Sequence, residues 1–320
     1  DPAITPLQKS APATTILLII ALIFGFFFGI VIILLSEFLD YTVKSIEEIE
    51  RRGLSVLAII PSIGTIDDST KKKKKGYKIN LKLTNSDKIE RRLLTHENPK
   101  SPISEAYRTL RTSLMYDNDD RKCKIMLVSS SGPGEGKTTT VANLAITYAN
   151  MGKRTLLIDA DLRKPVIHKM FTTELNAGLT NYLSKNEKRL DKIYYKSGIE
   201  NLYIVKSGAI PPNPSELLSS DSMKNFIEDA KKEFDIVLID TPPMIAVTDA
   251  FIINKHVDKT LLVIRASVTQ KGALERTLVN MNNMSGYFDG VIFNGVNETN
   301  SYGGGYYYNY YQYYYGDAEK

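Results

Sequence analysis

The chain has 320 residues, enough for one sizeable α/β domain plus extra segments, and a net charge of only +5, with its cations gathered on no single helix. That balance gives no reason to expect a nucleic-acid binder. The single cysteine, Cys123, excludes an internal disulfide and a cysteine metal cluster, fits a reducing compartment, and leaves three widely separated histidines, His96, His168 and His256, as poor candidates for a ligand set.

The first thirteen residues contain Pro2, Pro6 and Pro12 and should be extended. Ile16–Leu35 then supplies twenty residues without a charged or polar side chain, the length that crosses a ~30 Å hydrocarbon core as a helix. A signal peptide fits less well, because its apolar region would be shorter and followed by a small-residue cleavage site. Gly25 and Gly29 make a small-xxx-small spacing that suits either a helix–helix contact or a lipid-facing surface. Lys9 alone precedes the span, whereas Lys44, Arg51, Arg52 and the run Lys71–Lys75 follow it, so the C-terminal side is expected in the cytoplasm. A chain that starts at Asp1 beside such a span reads as part of a larger assembly, with an extracytoplasmic region missing or carried by another protein.

Ser45–Ile46–Glu47–Glu48 is a capping-box pattern opening a short helix that stops at Gly53. Leu54–Ile60 predicts a short strand ending at Pro61. Gly64–Asp87 is polar and lysine-rich, the composition of a flexible linker, and Lys71–Lys75 suit either a solvated linker or anionic lipid headgroups. After Pro102, a helix would place Glu105, Arg108 and Arg111 within about a third of its circumference and Tyr107 and Leu110 on a buried side. Spacing alone favours a solvated face with an intrahelical Glu–Arg pair.

Apolar, β-rich runs recur at Ile125–Val128, Thr155–Ile158, Leu202–Val205, Ile236–Ile239, Leu261–Ile264 and Val291–Phe293, mostly separated by helical stretches. Strands that are apolar on both faces, joined by crossovers, mean a mostly parallel sheet covered by helices on both sides, with ligands at the carboxyl ends of the strands. The first run leads into Ser129–Ser130–Ser131–Gly132–Pro133–Gly134–Glu135–Gly136–Lys137–Thr138–Thr139 and then into a helical pattern from Val141 to Ala149. Strand, glycine loop and helix make this a phosphate-binding P-loop: Gly132, Gly134 and Gly136 let backbone N–H groups turn inward. Lys137 would reach the β- and γ-phosphates and the Thr138 hydroxyl would ligate Mg²⁺. Ser131 stands where the first glycine is usual, and Gly132 stands where partition-type ATPases carry a second, signature lysine.

Two strands end in aspartate, Leu156–Asp161 with Asp159 and Asp161, and Val237–Pro243 with Asp240. Asp240 takes the Walker B position, which holds Mg²⁺ directly or through water. Asp159 and Asp161, two apart, would point to one side of an extended backbone, one positioning the metal and one accepting a proton, unless either caps the next helix. Arg163 and Lys164 follow and offer charge for the transferring phosphoryl group.

Nine tyrosines, Tyr302, Tyr306, Tyr307, Tyr308, Tyr310, Tyr311, Tyr313, Tyr314 and Tyr315, crowd the last nineteen residues among Gly303–Gly305 and Gly316. No helical or strand period sorts them, so a disordered tail is expected. It suits a stacking platform, a self-associating segment or a set of acceptor hydroxyls, and about 20 residues can span roughly 70 Å.

With loop, aspartates and tail together, the chain resembles the bacterial tyrosine kinases (BY-kinases) of capsule and exopolysaccharide synthesis over nearly its whole length. Ser130–Thr138 is similar to that family's Walker A loop, Ile158–Pro165 to its apolar-Asp-x-Asp-x-Arg-x-Pro motif, Ile236–Pro243 to its Walker B motif, and Ser207–Gly208 with Pro211–Leu218 to a further conserved-type segment. The N-terminal part resembles the last transmembrane helix and juxtamembrane segment of the chain-length-determining co-polymerase fused to such kinases. The resemblance implies that Glu105, Arg108 and Arg111 join subunits into a ring, an octamer in the family, and that Arg265 and Asn294 are adenine-side residues. It implies ATP and Mg²⁺ as cofactors, with Gly132, Gly134, Glu135, Gly136, Lys137, Thr138, Thr139, Arg265 and Asn294 around the nucleotide.

The reading is therefore an α/β, P-loop NTPase-type protein-tyrosine kinase at the bacterial inner membrane. Its segments are an extracytoplasmic stretch (1–15), a span (16–35), a juxtamembrane segment and linker (36–100), a cytoplasmic kinase domain (101–298) and an acceptor tail (299–320). Lys137, Asp159, Asp161 and Asp240 would be catalytic, and Thr138, Asp159 and Asp240 would hold the metal. Partners would be further copies of the chain, polysaccharide polymerisation and export machinery, a tyrosine phosphatase and membrane lipid. Phosphorylated tails should repel and dissociate the ring. The alternatives are a partition- or positioning-type ATPase switch and a non-catalytic assembly scaffold.

Overall fold

The computed structural model describes residues 14–62, 93–116, 123–174, 177–185, 187 and 189–296. The polar linker with Lys71–Lys75 and the tail tyrosines lie outside the described residues. The chain divides into two compact units, one through Tyr41 and one from Thr42 onward.

The first unit is helix α1 (Thr14–Phe38), a little longer at both ends than the expected span. Ile16–Phe38 is long and apolar enough to cross a membrane, and its large apolar side chains are exposed. A Cβ added at Gly25 or Gly29 would meet nothing within 4 Å, so the two glycines leave an open notch on the helix.

The second unit is an eight-stranded sheet. Helix α2 (Ile46–Glu50) begins where Ser45 accepts the Glu48 N–H, and the Glu48 carboxylate is engaged by Lys271, 3.0 Å away. It leads through Gly53, in the left-handed region at φ +76°, into strand β1 (Val56–Pro61). Helices α3 (Leu94–Glu97) and α4 (Pro102–Met115) follow; α4 starts with Pro102 at its first turn and a Ser101 cap. Then come β2 (Ile125–Ser130), α5 (Lys137–Asn150), β3 (Thr155–Asp159), α6 (Ile167–Met170) and α7 (Leu179–Leu183). The remainder is β4 (Tyr194–Lys196), β5 (Leu202–Val205), α8 (Pro214–Leu218), α9 (Asp221–Glu233), β6 (Ile236–Asp240), α10 (Asp249–Asn254), β7 (Lys259–Arg265), α11 (Lys271–Asn283) and β8 (Gly290–Val296).

The strand order is β1-β8-β7-β2-β6-β3-β5-β4, and among the described strands only β4 runs antiparallel to its neighbour. All six expected strands are present. At the two edges, β1 answers the strand expected over Leu54–Ile60, and β4 is the addition. β1 comes from the juxtamembrane segment and pairs parallel with β8, and β4 is a three-residue strand too short to show a period.

Alternation along the central strands explains why they read as continuous apolar runs. Ile125 and Leu127 of β2 face one layer of the core with Phe226, Val237 and Ile239. Met126 and Val128 face the other, with Tyr107, Leu110, Leu144 and Ile146. Both faces are covered, so both sets of side chains must be apolar. The parallel register brings the carboxyl ends of β2, β6 and β3 side by side, with Val128 opposite Asp240 and Asp240 opposite Asp159. That edge is where the glycine loop lies.

Candidate phosphate site

The loop between β2 and α5 turns on two residues in the left-handed region, Gly134 at φ +77° and Gly136 at φ +97°. Among the described residues of positive φ, Ser131 is absent, which explains why serine is tolerated at the first position. Gly136 is also the cap residue of α5, so Lys137 and Thr138 sit on the first turn of a fourteen-residue helix whose free N–H groups and dipole favour an anion.

Charge gathers beside that turn. Lys137 Nζ donates to Thr138 Oγ1 at 3.0 Å and lies 3.4 Å from Asp161 Oδ2 and from both oxygens of Asp240. Thr138 Oγ1 donates to Asp240 Oδ2 at 2.7 Å. Asp240 is 1% exposed, and burial, partly offset by Lys137, pushes its carboxyl above the usual range. Burial pulls the Lys137 ammonium down, but Asp240, Asp161 and Asp159 outweigh that and hold it above its ordinary value. Burial first and the neighbouring Asp240 second push Asp159 up to about 7.

The two aspartates that follow β3 divide their duties. Asp159 accepts the N–H groups of Val166 at 3.2 Å, Ile167 at 3.1 Å and Asp161 at 3.3 Å. It therefore caps the turn into α6, the alternative that the sequence left open, while sitting close enough to the cluster to feel its charges. Asp161 accepts Lys164 N–H with one oxygen and presents the other to Lys137. The expectation of two carboxylates turned the same way is thus corrected: Asp161, beyond the last paired residue of the strand, is the one within hydrogen-bonding reach of the lysine.

Arg163 is a second correction. Its guanidinium grips Asp249 through Nε at 2.9 Å and Nη2 at 3.2 Å, and donates to Ser215 Oγ at 2.8 Å, which itself donates to Asp249. Asp249 is 0% exposed, so the arginine is consumed in neutralising a buried carboxylate, not offered to phosphate. Nothing in the local sequence signalled Asp249, eighty-six residues away.

On the other flank, Arg265 at the end of β7 donates to Gly134 O at 3.0 Å, and Asn294 on β8 donates to Glu135 O at 2.9 Å. A Cβ on Gly136 would lie 2.2 Å from Asn294 Nδ2, so this glycine is needed for the contact as well as for its φ. Glu135 is buried with its carboxylate on the loop's own amides, and burial raises it to about 7. Thr139 lies in the first turn of α5. On α4, Glu105 pairs with Arg108, which also donates to Pro99 O, and Arg111 donates to Thr147 O of α5 at 2.9 Å.

Among the described residues, no group of three or more His, Cys, Asp or Glu side chains has the arrangement of a self-contained metal site. Thr138 and Asp240 do offer a hydroxyl and a carboxylate 2.7 Å apart, hard oxygen donors suited to Mg²⁺ that arrives with phosphate oxygens completing its shell.

Comparison with known proteins bears on this geometry. Residues 123–285 match the AAA domain family. The chain is 43% identical over 191 residues to the tyrosine-protein kinase YwqD of Bacillus subtilis, a match covering 60% of this chain and 80% of that protein. It is 33% identical over 296 residues to the tyrosine-protein kinase etk of Escherichia coli, covering 92% of this chain but only 40% of that protein. The solved kinase domain of Escherichia coli tyrosine kinase ETK superposes with a TM-score of 0.69 at 32% identity, over 79% of this chain and 95% of that one.

Proposed function

The chain belongs to the bacterial tyrosine-protein kinases, and from that premise we propose that it transfers the γ-phosphoryl group of MgATP to tyrosine hydroxyls in the 302–315 tail of a neighbouring copy. One observation carries this reading. At the carboxyl edge of the sheet, the loop lysine is shared between Asp240 and Asp161 beside the Thr138 hydroxyl. That is one carboxylate more than nucleotide binding requires.

In this reading Lys137 leaves the carboxylates for the β- and γ-phosphates, and Thr138 and Asp240 hold Mg²⁺. The metal, when bound, supplies charge that neutralises the phosphates. Asp161, or Asp159 beside it, takes the phenolic proton as the phenol oxygen bonds to the γ-phosphorus. The bond from that phosphorus to the β–γ bridging oxygen breaks, and ADP leaves with those electrons. Arg265 and Asn294 support the nucleotide from the β7–β8 side. The membrane anchor is α1, with the sheet unit on the cytoplasmic side. Copies meet through Glu105, Arg108 and Arg111 in a ring, the octamer of the resemblance. The wider setting is polysaccharide polymerisation and export, with a phosphatase resetting the tail and Lys71–Lys75 near anionic lipid.

A partition-type ATPase is disfavoured by position 132. Glycine stands there in place of that group's signature lysine. The test is incubation of the whole chain with MgATP and mapping of phosphate by mass spectrometry, beside Lys137→Met. Phosphotyrosine within 302–315 that disappears in the variant is expected. Phosphate release with no labelled tyrosine ends the kinase reading.

A further inference from the structure

Glu135 is the loop's buried carboxylate. Pro133 and Gly134 are exposed, whereas Ser131, Gly132 and the Glu135 side chain are buried. Its carboxylate reaches back across the turn and accepts two backbone N–H groups, Ser131 N to Oε2 at 2.9 Å and Gly132 N to Oε1 at 2.9 Å. Thr269, in the turn after β7, neighbours the same carboxylate, and its Oγ1 accepts Arg265 N at 2.8 Å. The backbone carbonyls of Gly134 and Glu135 are taken by Arg265 and Asn294. The loop is thereby tied at four consecutive or near-consecutive peptide groups, all from its protein side.

Glycine at 132 is part of the same device. A Cβ there would stand 3.1 Å from Glu135 Oε1, tighter than ordinary contact, so a larger residue at 132 would make the carboxylate shift by a few tenths of an ångström. An apolar residue in place of Glu135 would leave the Ser131 and Gly132 amides buried without partners, a penalty that a loop can avoid only by changing shape.

We propose that Glu135 is a positioning residue for the nucleotide phosphates: by anchoring the entry half of the loop from behind, it holds the exit half, Gly136 to Thr138, in the curvature that the phosphates require. This rests on the phosphate-site reading of the loop but not on the identity of the phosphoryl acceptor. The residue does not touch the reacting atoms. It acts through the amides it restrains, and its effect belongs to ligand binding by the loop and not to general stability.

The experiment is calorimetric titration of MgADP into the whole chain in detergent, for wild type, Glu135→Ala, Glu135→Gln and a control core variant, Leu261→Ala, each with its melting temperature. MgADP affinity should fall about 30-fold in E135A. In E135Q the loss should be smaller, because the amide oxygen still serves one of the two N–H groups while its NH₂ opposes the other. L261A should lower the melting temperature at least as much as E135A yet keep MgADP affinity within about twofold. If E135A does not fold, the isosteric E135Q against L261A decides the matter, with an affinity loss of several-fold expected. Folded variants at Glu135 that bind MgADP as wild type does would overturn the proposal, as would a loss that L261A reproduces. Absence of tyrosine phosphorylation would sink the kinase reading and leave this one standing if the affinities behave as stated.

Discussion

The phosphate loop is held between two flanks that are built on opposite principles. On the β6–β3 side, three carboxylates crowd around one lysine, and burial drives Asp240 and Asp159 above their ordinary range. On the β7–β8 side, Arg265 and Asn294 donate to loop carbonyls whose hydrogen-bonding capacity they meet. The first flank gathers several carboxylates around a single ammonium, a balance that a further cation would shift. The second is satisfied without one. The contrast separates groups poised to change partners from groups that keep the loop still while they do so, since an over-determined scaffold is what lets a strained charge cluster persist.

The largest effect should come from Lys137→Met, which removes the cation that Asp161 and Asp240 share. Tyrosine phosphorylation, read from phosphate incorporation, should fall about 10³-fold. An equal fall in a variant of the β7–β8 flank would erase the distinction between the two sides.

Proton linkage gives the next effect. Glu135 and Asp159 are both pushed up to about 7, so between the unfolded carboxyl range and pH 7 the folded protein binds more protons than the unfolded chain. The sign follows: these groups favour folding most below about pH 4, and that stability is lost as pH rises through 7. Denaturant unfolding of the nucleotide-free protein should therefore show stability declining from pH 5 to pH 8, by up to ~3 kcal/mol per group. Saturating MgADP should flatten the decline, because the cation favours the ionised Asp159. A profile that rises over that range would mean that the poised flank is not strained.

Arg163→Ala comes third. It strands the buried Asp249 carboxylate and should lower unfolding free energy by about 2 kcal/mol, while phosphorylation per folded molecule changes little. A thousandfold loss of turnover at unchanged stability would return Arg163 to the catalytic groups.

The smallest effect is expected on the satisfied flank. Asn294→Ala frees the Glu135 carbonyl and should raise the KM for ATP about tenfold with kcat within about twofold, a loss of uniform binding alone. Steady-state kinetics at varied ATP separates this from a fall in kcat, which would place Asn294 on the chemical side.

Local pattern and tertiary pairing divide these features between them for a physical reason. The apolar helix, the six central strands and the loop with Lys137 and Thr138 were legible because each is written in a local period or a contiguous motif: twenty uncharged residues, alternation about a covered sheet, glycines before a helix. Tertiary structure alone decided who partners whom. Only the placement of β2 between β6 and β7 puts Asp240 on one side of Lys137 and Arg265 on the other side of the loop. Only folding sets Arg163 on Asp249, brings β1 against β8 and gives Asp161, not Asp159, to the lysine. Those pairings join residues far apart along the chain, and a burial that leaves a charge no solvent is what selects them; no local pattern carries that information.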